Sequence, residues 1–245
     1  MKRMIIALVA LLPSLVMAAG GNVHLDKANY DLTDKASLQT GAKLFMNYCS
    51  GCHSTKYQRY ERVARDLGIS AALMQENLMF IEGTKIGALM ENAMSDELGA
   101  KWFGATPPDL TLVARVRGAD WLYTYLRSFY EDPTRPFGVN NVVFKDVGMP
   151  HVLQELQGVP RKTYESRLID GEQQDVYVGI RADGSGEMST DEYDHAVLDL
   201  VNFLVYSAEP VTLERRSMGW WVLGFLVIFT ILAYLLKKEF FRDLH

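Results

Sequence analysis

The chain has 245 residues, 25 Lys and Arg against 30 Asp and Glu, and a formal net charge of −5. The length allows one domain of ordinary size with appendages, and the charge balance argues against a nucleic-acid binder. The charge is unevenly placed, because residues 19–214 hold 18 basic and 28 acidic side chains while seven basic residues sit in the terminal segments.

At the N-terminus Lys2 and Arg3 precede an apolar run from Met4 to Leu12, then Pro13 and small residues around Val16, Ala18 and Ala19. This is the three-part form of a secretory signal, and the run is short for a membrane span. Residues 1–18 are therefore expected to be a cleaved signal peptide, with residues 19–214 folding in the periplasm.

Leu38, Ala42, Phe45 and Cys49 recur at spacings of four, three and four, the period of an amphipathic helix. That helix runs into Cys49-Ser50-Gly51-Cys52-His53, which holds both of the chain's cysteines. An exported pair of cysteines ordinarily invites a disulfide, and C-x-x-C is also a redox motif. The adjoining His decides for covalent haem c: both thiols form thioethers to one edge of the macrocycle and the imidazole binds the iron. Export supplies the compartment, and no thioredoxin-like strand-helix-strand unit precedes the motif.

Residues 84–100 are expected to be helical, with Met90 and Met94 one turn apart as core filling. Residues 119–130 read as an aromatic-rich helix. Pro and Gly punctuate 132–160, and Asp175 to Ile180 reads as a short strand before the turn at Ala182 to Gly186. Val197, Leu200, Val201 and Leu204 then mark a second amphipathic helix, ended by Glu209 and Pro210. A pair of helices crossing beside a haem is the cytochrome c arrangement, so the expected fold is mainly α, a cytochrome c-like haem domain with long irregular insertions.

Met218 to Leu236 is a stretch of 19 uncharged residues, which as a helix spans about 28 Å, close to the hydrocarbon thickness of a bilayer. Trp220 and Trp221 at its start and Tyr234 near its end suit the membrane interfaces, and Lys237, Lys238 and Arg242 follow. Residues 215–245 are read as one transmembrane anchor in the bacterial inner membrane, held by lipid, with a short cytoplasmic tail.

The iron's second ligand is a choice between two methionines. Met149, in Gly148-Met149-Pro150-His151, has a backbone fixed by the proline; Met188 follows the flexible Gly184-Ser185-Gly186 turn and precedes the last soluble helix. That turn can bring the chain over the distal face beside the helix expected to pack on the haem-bearing one, so Met188 is the expected ligand and Met149 the alternative. His24, His151 and His195 show no pattern of a distal pocket and are read as surface or supporting residues.

The sequence resembles the bacterial cytochrome c1 family, the haem subunit of the cytochrome bc1 complex. The likeness is carried by Tyr60 to Gly68, Lys101-Trp102-Phe103-Gly104, Pro107-Pro108-Asp109-Leu110, the run from Arg135 to Leu153, and Met188-Ser189 before the helix ending in Ala208-Glu209-Pro210. The resemblance implies that Met188 is the second axial ligand, that the segment holding Pro108 lies against the haem, and that Arg117, with Arg115 the alternative, binds a propionate. It further implies one-electron transfer from a Rieske iron-sulfur protein to a soluble or membrane-bound cytochrome c, beside cytochrome b, with no side chain acting as acid, base or nucleophile. Two other readings remain: a membrane-tethered shuttle cytochrome outside such a complex, and a haem peroxidase or sensor with an open iron site.

Overall fold

A computed structural model of the chain describes residues 23–169 and 172–242. The signal segment 1–18 lies outside the described residues. The first helix, α1, spans Lys35–Leu44 and starts where the Asp34 carboxylate accepts the Ser37 N–H at 3.1 Å. It continues directly into a single π turn, Phe45–Cys49. Such a widened turn re-aims the backbone, and here it delivers Cys49 to the end of the helix. The Cys49 carbonyl then accepts both the Cys52 N–H at 3.1 Å and the His53 N–H at 2.8 Å, closing the haem-attachment motif into a compact loop.

Chain order then gives β1 Thr55–Arg59, α2 Tyr60–Leu67, α3 Ala71–Asn77, β2 Leu89–Met90, α4 Asp96–Phe103, α5 Val113–Arg117 and α6 Ala119–Arg127. After these come β3 Phe129–Glu131, β4 Val139–Asn141, α7 Gln154–Gln157, β5 Pro160–Ile169 and β6 Glu172–Ala182. The chain closes with α8 Thr190–Ala208 and α9 Thr212–Phe240. The strands form three separate antiparallel pairs, β1 with β2, β3 with β4 and β5 with β6, so helices dominate as expected.

The core is built where α8 crosses α1. A capping box between Ser189 and Glu192 opens α8, whose Val197, Leu200, Val201, Phe203 and Leu204 are all buried. Gly41 makes the crossing possible, since a Cβ there would overlap the Asp199 carbonyl oxygen of α8. The Phe45 and Phe203 rings meet at 5.4 Å beside it. A polar seam runs along the same contact: Ser37 donates to Asp199 at 2.5 Å, Asn202 donates to Ser37 at 2.5 Å, and the Asp31 N–H donates to the Asn202 side-chain Oδ1 at 3.0 Å. Arg127 ties three segments together with a bidentate pair to Asp194 and a third bond to Asp26 at 2.8 Å.

Two expected elements are corrected, and a third, the strand at 175–180, is present but longer. Residues 84–95 are not helical: the Ile86 and Ala88 carbonyls accept the Glu61 and Tyr60 N–H groups, and Met90 pairs opposite Thr55. Glycines at 83 and 87 weaken a helix there, and the Ser95 hydroxyl, accepting the Leu98 N–H at 3.3 Å, sets the start of α4 at Asp96. The helix expected over 119–130 stops at Arg127, because Phe129–Glu131 pairs with Val139–Asn141. The short strand at 175–180 is one arm of a hairpin, β5–β6, that is mostly solvent-exposed along both strands. Water on both faces removes the apolar alternation by which a strand is read, so β5 left no signal.

α9 is long and apolar enough to cross a membrane, with a mean hydropathy of 2.2 over its most apolar window and none of that window buried against the rest of the chain. It leaves α8 through a short turn in which Arg215 pairs with Glu209 at 2.6 Å.

Candidate haem site

The Cys-His loop, the middle of α8 and the segments around residues 103–126 and 144–152 enclose a cleft of about 410 Å³. One wall carries Tyr48, Cys49, Cys52 and His53, and Leu200 and Leu204 of α8 lie beside them. His53 is buried, and its Nδ1 lies 2.7 Å from the Pro108 carbonyl oxygen. A carbonyl only accepts, so Nδ1 carries the proton and Nε2 keeps its lone pair. Burial lowers the His53 pKa despite that hydrogen bond and the nearby Asp109 carboxylate, which favours the neutral ring. Pro108 is itself held in place: the Leu110 N–H bonds the Ser54 carbonyl at 2.8 Å, and Asp109 accepts the Lys56 and Thr111 N–H groups at 2.8 and 3.0 Å.

Burial, with Cys52 second, pushes the Cys49 thiol up to about 12, and burial also raises Cys52. A redox C-x-x-C needs the opposite, a cysteine whose thiolate is favoured. The two sulfurs stand here as neutral thiols lining an apolar cleft.

The two methionines part company in the structure. Met149 lines the cleft. Met188 does not; it is partly buried against the main core, and its N–H bonds the Leu156 carbonyl at 3.0 Å, holding it at the foot of α8. The turn before Met188 holds it there. Gly186 packs against the backbone of residues 156–158, and Asp183 accepts the Val159 and Ser185 N–H groups at 3.0 Å. That turn is pinned to the base of the hairpin and does not reach over the cleft.

Arg117 lines the cleft with its guanidinium 5.1 Å from the Trp121 ring and 5.9 Å from that of Phe144, whereas Arg115 stands outside the lining. Among the described residues Arg117 is the one Lys or Arg that lines the cleft, so it is the group there able to neutralise an acidic substituent. An apolar cleft with two thiols, an imidazole of fixed tautomer, a thioether and one guanidinium fits a covalently held haem.

Sequence reading missed Tyr48, Trp121 and Tyr125 on the cleft wall. Trp121 and Tyr125 stand four apart within the helix expected over 119–130, and that signal of a common face was available. It also missed Asn140 and Asn141, both buried. Asn141 accepts the Val143 and Phe144 N–H groups at 2.9 and 3.1 Å and donates to the Tyr125 carbonyl at 2.8 Å, while Asn140 accepts the Asp146 N–H at 2.9 Å. Together with Arg135, which donates to the Asp146 carbonyl at 2.8 Å, they shape the loop leading to Met149. His24 and His195 are exposed, whereas His151 is buried, stacked on Phe129 at 4.8 Å, and bonded to Gln157 at 2.7 Å.

A family model described as the Cytochrome C1 family matches residues 26–158 and 181–244. The unmatched interval falls on the β5–β6 hairpin. The chain is 52% identical to cytochrome c1 of Allochromatium vinosum over all of both chains. It is 43% identical to a protein of Nitrosomonas europaea called ammonia monooxygenase gamma subunit, over all of this chain and 99% of that one. A cytochrome c1 of Blastochloris viridis is 26% identical over 85% of this chain and 81% of its own.

Proposed function

The chain belongs to the cytochrome c1 family, and from that premise we propose that it is the membrane-anchored electron-transfer subunit of a quinol:cytochrome c oxidoreductase of the bc1 type. Members of this family carry one covalently bound haem c. The observation that carries the reading is the convergence on one cleft of Cys49, Cys52, His53 and Met149. A haem held there by these residues would supply a one-electron couple, and with His53 and Met149 both available to its iron it would favour electron exchange over substrate chemistry.

In this reading Cys49 and Cys52 hold the vinyl edge as thioethers. His53 offers Nε2 to the iron, and the Pro108 carbonyl fixes the ring's tautomer and orientation. Met149, which lines the same cleft where Met188 does not, would offer its thioether. Arg117 gives charge-assisted hydrogen bonds to a propionate, and the apolar lining excludes water. The anchor α9 keeps the haem domain on the periplasmic face, with the C-terminus in the cytoplasm.

Cytochrome b is the partner within the membrane, a Rieske iron-sulfur protein is the donor, and a cytochrome c is the acceptor. Residues 165–199 hold ten acidic and two basic side chains, a surface to which a basic acceptor is steered at low salt.

Purification of the native membrane complex tests the proposal. Co-isolation with cytochrome b and a Rieske protein, with haem reduction by quinol, supports it. Isolation alone indicates a tethered shuttle, and isolation with ammonia monooxygenase subunits indicates the role named for the Nitrosomonas relative. Either of these outcomes overturns it.

A further inference from the structure

Behind the cleft, apart from the main core, Phe129, Val139 and Val147 form a small buried cluster against which Tyr125 and Met149 both pack. Within it the Tyr125 hydroxyl donates to the Met149 sulfur at 3.4 Å. We infer that Tyr125 is a positioning residue for the methionine wall, its hydroxyl occupying one sulfur lone pair so that the other is aimed into the cleft and donates less strongly to the iron. The inference rests on the assignment of Met149 as axial ligand.

Three features make this contact a built one. Tyr125 is fixed as a ring, stacked on Trp121 at 4.8 Å and set edge-on to Phe129 at 5.2 Å. Its backbone is fixed as well, since its carbonyl accepts the Asn141 side-chain N–H at 2.8 Å, and Asn141 also holds the loop leading to Met149. A phenol carries a proton at neutral pH and a thioether has none to give, so the hydroxyl is the donor in this contact.

A thioether sulfur has two lone pairs. A hydrogen bond to one withdraws electron density and weakens donation from the other. Ferric iron needs that donation more than ferrous iron does, so the hydroxyl stabilises the reduced state and raises the potential. A neutral hydrogen bond of ordinary strength corresponds to about a fivefold change in an equilibrium constant.

Tyr125→Phe keeps the ring and both stacking contacts while deleting the donor. In the complete membrane-bound protein the variant should show a lower midpoint potential, a retained sulfur-to-iron charge-transfer band, and ferric iron that exchanges methionine for added imidazole about fivefold less readily. In the wild-type ferrous protein, proton NMR should show a slowly exchanging Tyr125 hydroxyl close to a methionine methyl group, a measurement that needs no variant. An unchanged potential and imidazole affinity in Tyr125→Phe, or a hydroxyl exchanging at the solvent rate, overturns the inference. Met149→Leu separates that failure from failure of the ligand assignment: if it keeps the charge-transfer band, the assignment falls and the inference with it.

Discussion

The two walls of the cleft are built by different means. The cysteine-histidine wall is local: α1, its π turn and the loop closed on the Cys49 carbonyl place three chemical groups within five residues. The methionine wall is assembled from distant pieces, with Tyr125 from α6, Asn140 and Asn141 from β4, and Arg135 from the preceding loop all acting on residues 142–149. Local chemistry survives almost any error in topology, while an assembled wall is only as good as its supports. Single changes should therefore act sharply on the first wall and through ligand geometry on the second.

The largest expected effect is on the local wall. Cys49→Ala together with Cys52→Ala should abolish covalent attachment, so that haem staining of the denatured protein on a gel disappears; haem lost on denaturing the wild type would refute the attachment itself. On the assembled wall, Met149→Leu conserves volume while deleting the sulfur. It should remove the charge-transfer band, lower the potential and admit carbon monoxide, while Met188→Leu should leave all three near wild type. A band that survives Met149→Leu and vanishes in Met188→Leu would reverse the contrast between the walls.

The crossing of α1 and α8 supports the first wall from behind. Gly41→Val should destabilise the domain by about 3 kcal/mol, since the obstacle is the Asp199 backbone and not a movable side chain. Denaturant unfolding measures this, and a change below about 1 kcal/mol would mean that the helices separate easily. At the cleft mouth, Arg117→Leu should lower the midpoint potential, because removing a cation favours the more positively charged ferric state, and Arg115→Leu should shift it less. Equal shifts would remove the distinction the cleft makes between the two arginines.

The smallest effect concerns the turn that keeps Met188 away. Hydrogen bonds from Ser185 and the Val159 N–H lower the Asp183 carboxyl from 3.8 to about 2. A depressed carboxyl pKa contributes stability that is present above the ordinary value and lost as pH falls through the folded one. Asp183→Asn should therefore flatten the stability profile between about pH 4 and 2, with little change at neutral pH. Unaltered acid dependence would show that the turn does not depend on this carboxylate.

What could be read in advance follows the same division. The α1 stripe from Leu38 to Cys49, the α8 stripe from Val197 to Leu204 and the apolar run inside α9 each have one face, or all faces, committed to an apolar surrounding, and a helical period records that commitment. The β5–β6 hairpin and residues 84–95 have no such commitment. The hairpin lies in water, and the second segment takes its shape from hydrogen bonds to Tyr60 and Glu61 far along the chain.

The sequence by itself determined the Cys-x-x-Cys-His motif that fits a covalent haem, the two crossing helices and the apolar C-terminal span, because each is set by neighbours within a few residues or by one continuous run. Only the tertiary structure decided that Met149 and Arg117 line the cleft while Met188 and Arg115 stand outside its lining. Local sequence leaves either member of each pair able to serve. The choice is made by which one the folded chain brings to the cleft: Asn140, Asn141 and Arg135 shape the loop that puts Met149 on its wall, and the Asp183 turn holds Met188 at the foot of α8.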